Sequence, residues 1–199
     1  MIGVINYGAG NVGSVLRAIQ YLGFPAEPVE DAHLLQTAAK IILPGQGHFG
    51  AMMEALEAKK MIAPLRDQMT SGKPFLGICL GLQALYEASD EAPGRAGFGL
   101  LPGRVKRFEG VFKVPHLGWN QLEIRSKDGL FKGVPNGSFA YFCHSYYGPV
   151  TAETTAMTEY GQNFAAAIRV GSVYAVQFHP EKSGDVGLKI LENFLKLRD

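Results

Sequence analysis

Cysteine is nearly absent from this chain: Cys79 and Cys143 are the two thiols in 199 residues. Two such distant thiols make no disulfide framework, and no paired Cys and His spacing marks a zinc site. Charge of one sign is also lacking. The 19 Lys and Arg stand against 18 Asp and Glu, a net charge of +1, which removes the electrostatic footprint of a nucleic-acid-binding protein. The one short basic cluster, Arg104, Lys106 and Arg107, sits in an apolar alternation. It reads as the solvated face of a strand, with a local partner contact as the alternative. No apolar run reaches the roughly 20 residues of a membrane span; the one around Cys79 is broken by Gln83. The start, "MIGVINYG", has neither the basic region nor the apolar stretch of a signal peptide. The expectation is a cytoplasmic protein with neither nucleic acid nor membrane as partner. There is no Walker P-loop, internal repeat or linker, so the chain reads as one domain over residues 1–199.

Apolar material is plentiful, with 47% hydrophobic against 19% charged residues, enough for a substantial core. The runs "IGVIN", "KIILP" and "KPFLGIC" alternate with segments of helical period such as "SVLRAIQYL". Strands alternating with helices predict an α/β fold with a mostly parallel sheet covered on both faces. "FGAMMEALEA" and "IAPLRDQM" read as further helices, with Pro64 near the start of the second. From about residue 103 the character changes to short strands, "GRVKRF", "NQLEI", "SFAYFCHSYY", "TTAMTEY", "NFAAAIR" and "SVYAVQF", which predict an antiparallel extension. The chain closes on the helical stripe of Leu188, Leu191, Phe194 and Leu195.

Cys79 lies in Gly77-Ile78-Cys79-Leu80-Gly81, after an apolar strand and before "LGLQALYEA", which has helical spacing through Leu82, Leu85 and Tyr86. That is the setting of a nucleophile elbow: the flanking glycines leave room for a tight strand-to-helix turn that lifts the central residue out of the sheet. The helix start favours a thiolate, and the Leu80 amide is placed to donate to an oxyanion. Taken alone, a small buried hydrophobe at a strand end accounts for Cys79 equally well. A thiolate nucleophile needs a base and a group to orient it. "YAVQFHPEKS" supplies His179, restrained to extended geometry by Pro180, and Glu181 two residues on, where both side chains share a face. The other histidines, His33, His48, His116 and His144, lack such a carboxylate neighbour. "KIILPGQGHFG" adds a strand ending in Gly45 and Gly47, where a flexible backbone can turn an amide into a site.

"YGAGNVGSV" is a rival signal. Gly8, Gly10 and Gly13 form a GxGxxG between the first strand and the first helix, with Glu27 and Glu30 at the distance of a ribose-binding acid. That reading makes the chain a dinucleotide-binding protein, but it accounts for one segment, whereas the thiol reading links three separated ones. A catalytically silent regulatory subunit, or another thiol hydrolase on the same scaffold, are further alternatives.

Together "PGQGHF", "GICLG" and "FHPEKS", in that order, resemble the class I glutamine amidotransferases. "PHLGWN" at 115–120 and "YFCHSYY" at 141–147 narrow the resemblance to the glutaminase subunits of imidazole glycerol phosphate synthases in histidine biosynthesis. The resemblance implies a flavodoxin-like fold and hydrolysis of L-glutamine through a thioester on Cys79, with His179 and Glu181 completing the triad. It implies an oxyanion loop of Gly45, Gln46 and Gly47 with the Leu80 amide, and a glutamine pocket of Gln83, Glu91, Ser145 and Tyr146. It implies no metal or organic cofactor. The implied partner is a barrel-shaped cyclase subunit that receives the ammonia within a heterodimer, with Asn11, Trp119 and Lys182 at the interface.

Overall fold

The computed structural model describes residues 1–126 and 129–197. In chain order it contains β1 (Ile2–Ile5), α1 (Val12–Tyr21), β2 (Ala26–Val29), α2 (Ala32–Thr37), β3 (Lys40–Gly45), α3 (Phe49–Ala58) and α4 (Ile62–Thr70). The elbow region follows as β4 (Phe75–Cys79), α5 (Leu80–Gln83), β5 (Tyr86–Ser89) and β6 (Leu101–Arg107). The second half contributes β7 (His116–Gln121), β8 (Glu123–Ile124), β9 (Phe139–His144), β10 (Tyr146–Tyr147), β11 (Thr154–Glu159), β12 (Asn163–Val170), β13 (Val173–Val176) and α6 (Gly184–Leu195).

An eight-stranded sheet in the order β2-β1-β3-β4-β13-β12-β11-β8 forms the frame. Pairing is parallel from β2 through β13 and antiparallel from β13 outward to β8, as the two halves of the sequence predict. Strand period explains why the central parallel strands are apolar on both faces. In β3 and β4, Ile42, Leu76 and Ile78 join one core, whereas Ile41, Leu43 and Phe75 join the other. The first core is closed by α1 through Val15 and Ile19 and by α6 through Ile190, Leu191 and Phe194. The second is closed by Leu35 of α2, Phe49, Met52 and Leu56 of α3, and Leu65 and Met69 of α4. Among the described residues no helix is long and apolar enough to cross a membrane.

Three details depart from the sequence reading. The helix expected through Tyr86 ends at Gln83, and Tyr86 opens β5. Buried Tyr86 and Ala84 explain the early stop: the backbone passes so close to Gly97 that its Cβ would meet the Ala84 carbonyl at 2.7 Å, and extended pairing replaces the helical turn. Not every later strand extends the main sheet. β5, β6 and β10 form a small sheet, and β7 with β9 a separate ribbon. "AEPV" is an unanticipated strand, β2, made possible by its edge position, where Pro28 need not donate to a neighbour. The basic cluster does lie on the exposed side of β6, whose Leu101 and Val105 point inward, and Arg104 pairs with Asp90 at 2.8 Å.

The elbow depends on backbone packed against backbone. A Cβ on Gly77 would lie 2.7 Å from the Gly81 carbonyl oxygen, one on Gly45 would lie 2.5 Å from Leu80 Cβ, and one on Gly81 would collide with the Leu43 carbonyl oxygen. Backbone at that distance has no rotamer to adjust. Gly81→Ala is therefore expected to destabilise the fold by about 2–3 kcal/mol, read as a lower urea midpoint with unchanged slope. Gly23→Ala, in open space, pays only the cost of its positive φ of 82°.

Candidate active site

β3, β4 and β13 are neighbours running in the same direction, so Gly45, Cys79 and the segment after Val176 all emerge at one edge of the sheet. Gly45 is the register partner of Cys79, and Ile78 that of Val176. Cys79 itself has φ 54° and ψ −104°, a strained backbone for a non-glycine residue that costs about 1–3 kcal/mol and is characteristic of an elbow. Because α5 has only four residues, the helix dipole expected from the sequence contributes little. Leu80 opens α5, so its amide has no partner within the helix.

His179 is extended, at φ −100° and ψ 97°, and Pro180–Lys182 then turns in a 3-10 helix. The dyad forms through this turn rather than along an extended strand: His179 Nδ1 lies 2.9 Å from Glu181 Oε1. Both side chains are almost wholly buried. His179 also lies close enough to Cys79 to feel it electrostatically. Burial opposes charge on the ring, but the hydrogen bonds and charges of Cys79 and Glu181 outweigh it and push the His179 pKa up to about 10. For Glu181, burial raises the pKa, yet the bond and charge of His179 and the Asn11 amide bring it below the usual carboxylate range. Asn11 Nδ2 donates to Glu181 Oε1 at 2.9 Å. Glu181 Oε2 is buried without a hydrogen-bond partner among the described residues.

A cleft of about 50 Å³ opens over the thiol, lined by Gln46, Gly47, Cys79, Leu80, Gln83, Glu91, Cys143, His144, Ser145 and Tyr146. It gathers all four anticipated pocket residues. Glu91 also has a structural task, accepting from the Phe49 amide at 2.7 Å at the start of α3. A larger groove, about 540 Å³, lies beyond β7 and β11. Its lining has neither thiol nor imidazole, so volume does not locate the chemistry here. The Gln46 amide donates to the Tyr7 hydroxyl, at a long 3.4 Å.

Asn11 was anticipated only as an interface residue, and it also holds Glu181. Trp119 is 54% exposed and sits beside Gly184, just past exposed Lys182. The sequence reading missed Gln177, fully buried, whose Nε2 donates to Cys79 Sγ at 3.6 Å. Its signal was there: a polar residue within an apolar strand, two before His179 and so on the same side. The rival glycine fingerprint forms the turn between β1 and α1, with Gly8 and Gly10 at φ 97° and 88°, and delivers Tyr7 and Asn11 to this same site.

Comparison with known proteins matches residues 3–197 to the family described as glutamine amidotransferase class-I. The chain belongs to that family. Within it, the chain belongs with the imidazole glycerol phosphate synthase subunits named HisH. It is 48% identical to that of Desulfitobacterium hafniense, covering 98% of this chain and 94% of the relative. It is 45% identical to that of Thermococcus kodakarensis, covering 99% and 100%. Among solved structures, a glutamine amidotransferase superposes with TM-score 0.75 at 22% identity, over 97% of this chain and 98% of that one. PurLQS from Thermotoga maritima gives TM-score 0.76 at 22% identity, over 98% and 96%. At that identity these two report on the fold alone.

The shifted pKa values have a measurable signature. His179 is expected to stay protonated through neutral pH, losing its proton only near pH 10, whereas Cys79→Ala brings its titration back toward the ordinary range near 6.5. Ring resonances followed by NMR across pH check this. The sign for stability follows: the His179 contribution is complete below about 6.5 and disappears as pH rises through about 10. The Glu181 contribution is present above its ordinary 4.5 and disappears as pH falls through its depressed value.

Proposed function

We propose that this chain acts as one glutamine amidotransferase domain over residues 1–199, the glutaminase subunit of an imidazole glycerol phosphate synthase. The observation that carries the reading is the thiol of Cys79 at a strained elbow, within electrostatic reach of a His179 that Glu181 holds at 2.9 Å. The Cys79 sulfur attacks the side-chain amide carbon of L-glutamine, forming the C–S bond and an oxyanion held by the Leu80 amide and the Gly45-Gln46-Gly47 loop. His179 delivers its proton to the departing nitrogen; the C–N bond breaks and ammonia leaves. Water then adds to the thioester, giving its proton to His179, and the C–S bond breaks to yield glutamate and the free thiol. Glu181, steadied by Asn11, holds the ring in place throughout. Gln83, Glu91, Ser145 and Tyr146 form the glutamine pocket.

The relatives carry the word subunit in their names. We assign the partner as a barrel-shaped cyclase subunit that takes ammonia in a heterodimer to make imidazole glycerol phosphate and an aminoimidazole carboxamide ribotide. Exposed Leu117, Trp119 and Phe139 on the β7–β9 ribbon suit the docking face, with Trp119 as its anchor and Asn11 and Lys182 as its further members. The Gln46 amide spent on Tyr7 supports a resting site whose oxyanion loop must turn before catalysis.

In the reconstituted complex, Cys79→Ser is expected to lower glutamine-dependent synthesis at least ~10³-fold while synthesis from added ammonium salt stays intact. Loss of both would contradict a donor-only role. The isolated chain is expected to hydrolyse glutamine slowly, with turnover rising when the cyclase subunit and its nucleotide substrate are added together. Full turnover by the chain alone would remove the loop from the explanation.

A further inference from the structure

The mechanism leaves one buried polar cluster unused. His116 and His144 are register partners across β7 and β9, 3% and 6% exposed, in a box of Phe108, Phe142, Tyr160 and Phe164. Imidazoles in such surroundings are costly unless their nitrogens are satisfied. All four are: His144 Nδ1 lies 2.8 Å from the Tyr146 carbonyl, His144 Nε2 lies 3.1 Å from His116 Nδ1, and His116 Nε2 lies 3.3 Å from Asn120 Nδ2.

Hydrogen-bond chemistry sets the direction of each contact. A carbonyl only accepts, so His144 carries its proton on Nδ1. A neutral ring then accepts at Nε2, so His116 donates from Nδ1 and accepts at Nε2 from Asn120. Asn120 is oriented for this, because its Nδ2 also donates to the Glu159 carbonyl at 2.9 Å and its Oδ1 accepts from the Gln121 amide at 2.8 Å. Burial keeps both rings neutral, lowering His116 to about 4 and His144 to about 3. The charged or titratable neighbours felt by His144 are His116 and His179, and both act in the same direction as burial. The Tyr146 carbonyl accepts a second bond, from Gln83 Nε2 at 2.8 Å, and Gln83 Nε2 also donates to Gln177 Oε1 at 3.2 Å. Both Gln83 hydrogens are then committed, and only its oxygen is left for the cleft it lines. Gln177, with its oxygen accepting, presents Nε2 to Cys79 Sγ.

We propose that His116 and His144 are positioning residues in a one-way relay: Asn120, His116 and His144 fix the Tyr146 carbonyl, which fixes Gln83, which fixes Gln177 as a donor to the Cys79 sulfur. The relay rests on the reading of Cys79 as nucleophile. Its second output is the Gln83 oxygen, an acceptor facing the cleft and suited to the N–H of an amide or of ammonium. Its outer end lies on β7, the strand that also bears Trp119.

Two measurements test it. In the unsubstituted chain, nitrogen NMR of labelled histidines is expected to find both rings as the Nδ1–H tautomer, the minor form of free histidine. The Nε2–H tautomer in either ring overturns the relay. The rate of Cys79 alkylation by iodoacetamide at fixed neutral pH gives the second readout, with the modified residue identified by peptide mapping because Cys143 lines the same cleft. Gln177→Leu and His144→Phe are each expected to slow it about fivefold, the worth of one ordinary hydrogen bond. His144→Asn, which keeps a donor at the Nδ1 position, is expected to restore it to within about twofold. Unchanged alkylation in folded His144→Phe overturns the proposal; if that variant does not fold, the tautomers and Gln177→Leu decide. Alkylation needs no glutamine turnover, so a failed glutaminase assay would count against the proposed function and leave this test standing.

Discussion

The close approach of three backbone segments at Gly45, Gly77 and Gly81 is the constraint on which the site rests. Side chains at any of the three would push α5 away from β3 and β4, and Cys79 would relax out of its positive-φ conformation. The strain at Cys79 persists because the sheet beneath it is over-determined, with fully buried Leu43, Leu76, Ile78 and Val176 around it. Once the thiol is held there, parallel pairing of β4 with β13 brings His179 to it without any loop having to search for the position.

Much of this was legible in the sequence because it depends on local rules. Apolar runs of strand length separated by helical periods gave away the parallel half, and Gly-x-Cys-x-Gly between a strand and a helix gave away the elbow. The proposed triad could be assembled from motifs a hundred residues apart because each motif has its own local geometry. What the sequence hid depends on contacts between segments. The end of α5 at Gln83 is set by backbone packed against Gly97, and helical spacing through Tyr86 cannot report that. β2 was obscured by Pro28, whose acceptance depends on an edge position that exists only after the sheet is assembled. His116 and His144 looked isolated because each lacks a carboxylate neighbour in sequence; their partner is the other histidine, across a ribbon and 28 positions away along the chain.

Burial sorts the histidines into two electrostatic classes. His179 has Glu181 and Cys79 within reach, and the low-polarity surroundings that disfavour its charge also strengthen their pull. His144 is equally enclosed, but its contacts are a carbonyl and another imidazole, and the one opposing pull, from the Tyr146 carbonyl, does not outweigh desolvation. The same residue type thus serves as a fixed cation at the thiol and as a neutral, directional connector a few residues away.

The two margins of the large sheet differ in sequence and agree in effect. One is β2, where Pro28 removes a donor; the other is β8, only two residues long. Neither offers the row of free amides and carbonyls that a foreign strand would need. A companion protein therefore cannot be recruited by lengthening the sheet. Side chains offer the other route: exposed Leu117 on the β7–β9 ribbon is the register partner of Cys143, which lines the cleft over the thiol, so whatever docks there sits beside the site.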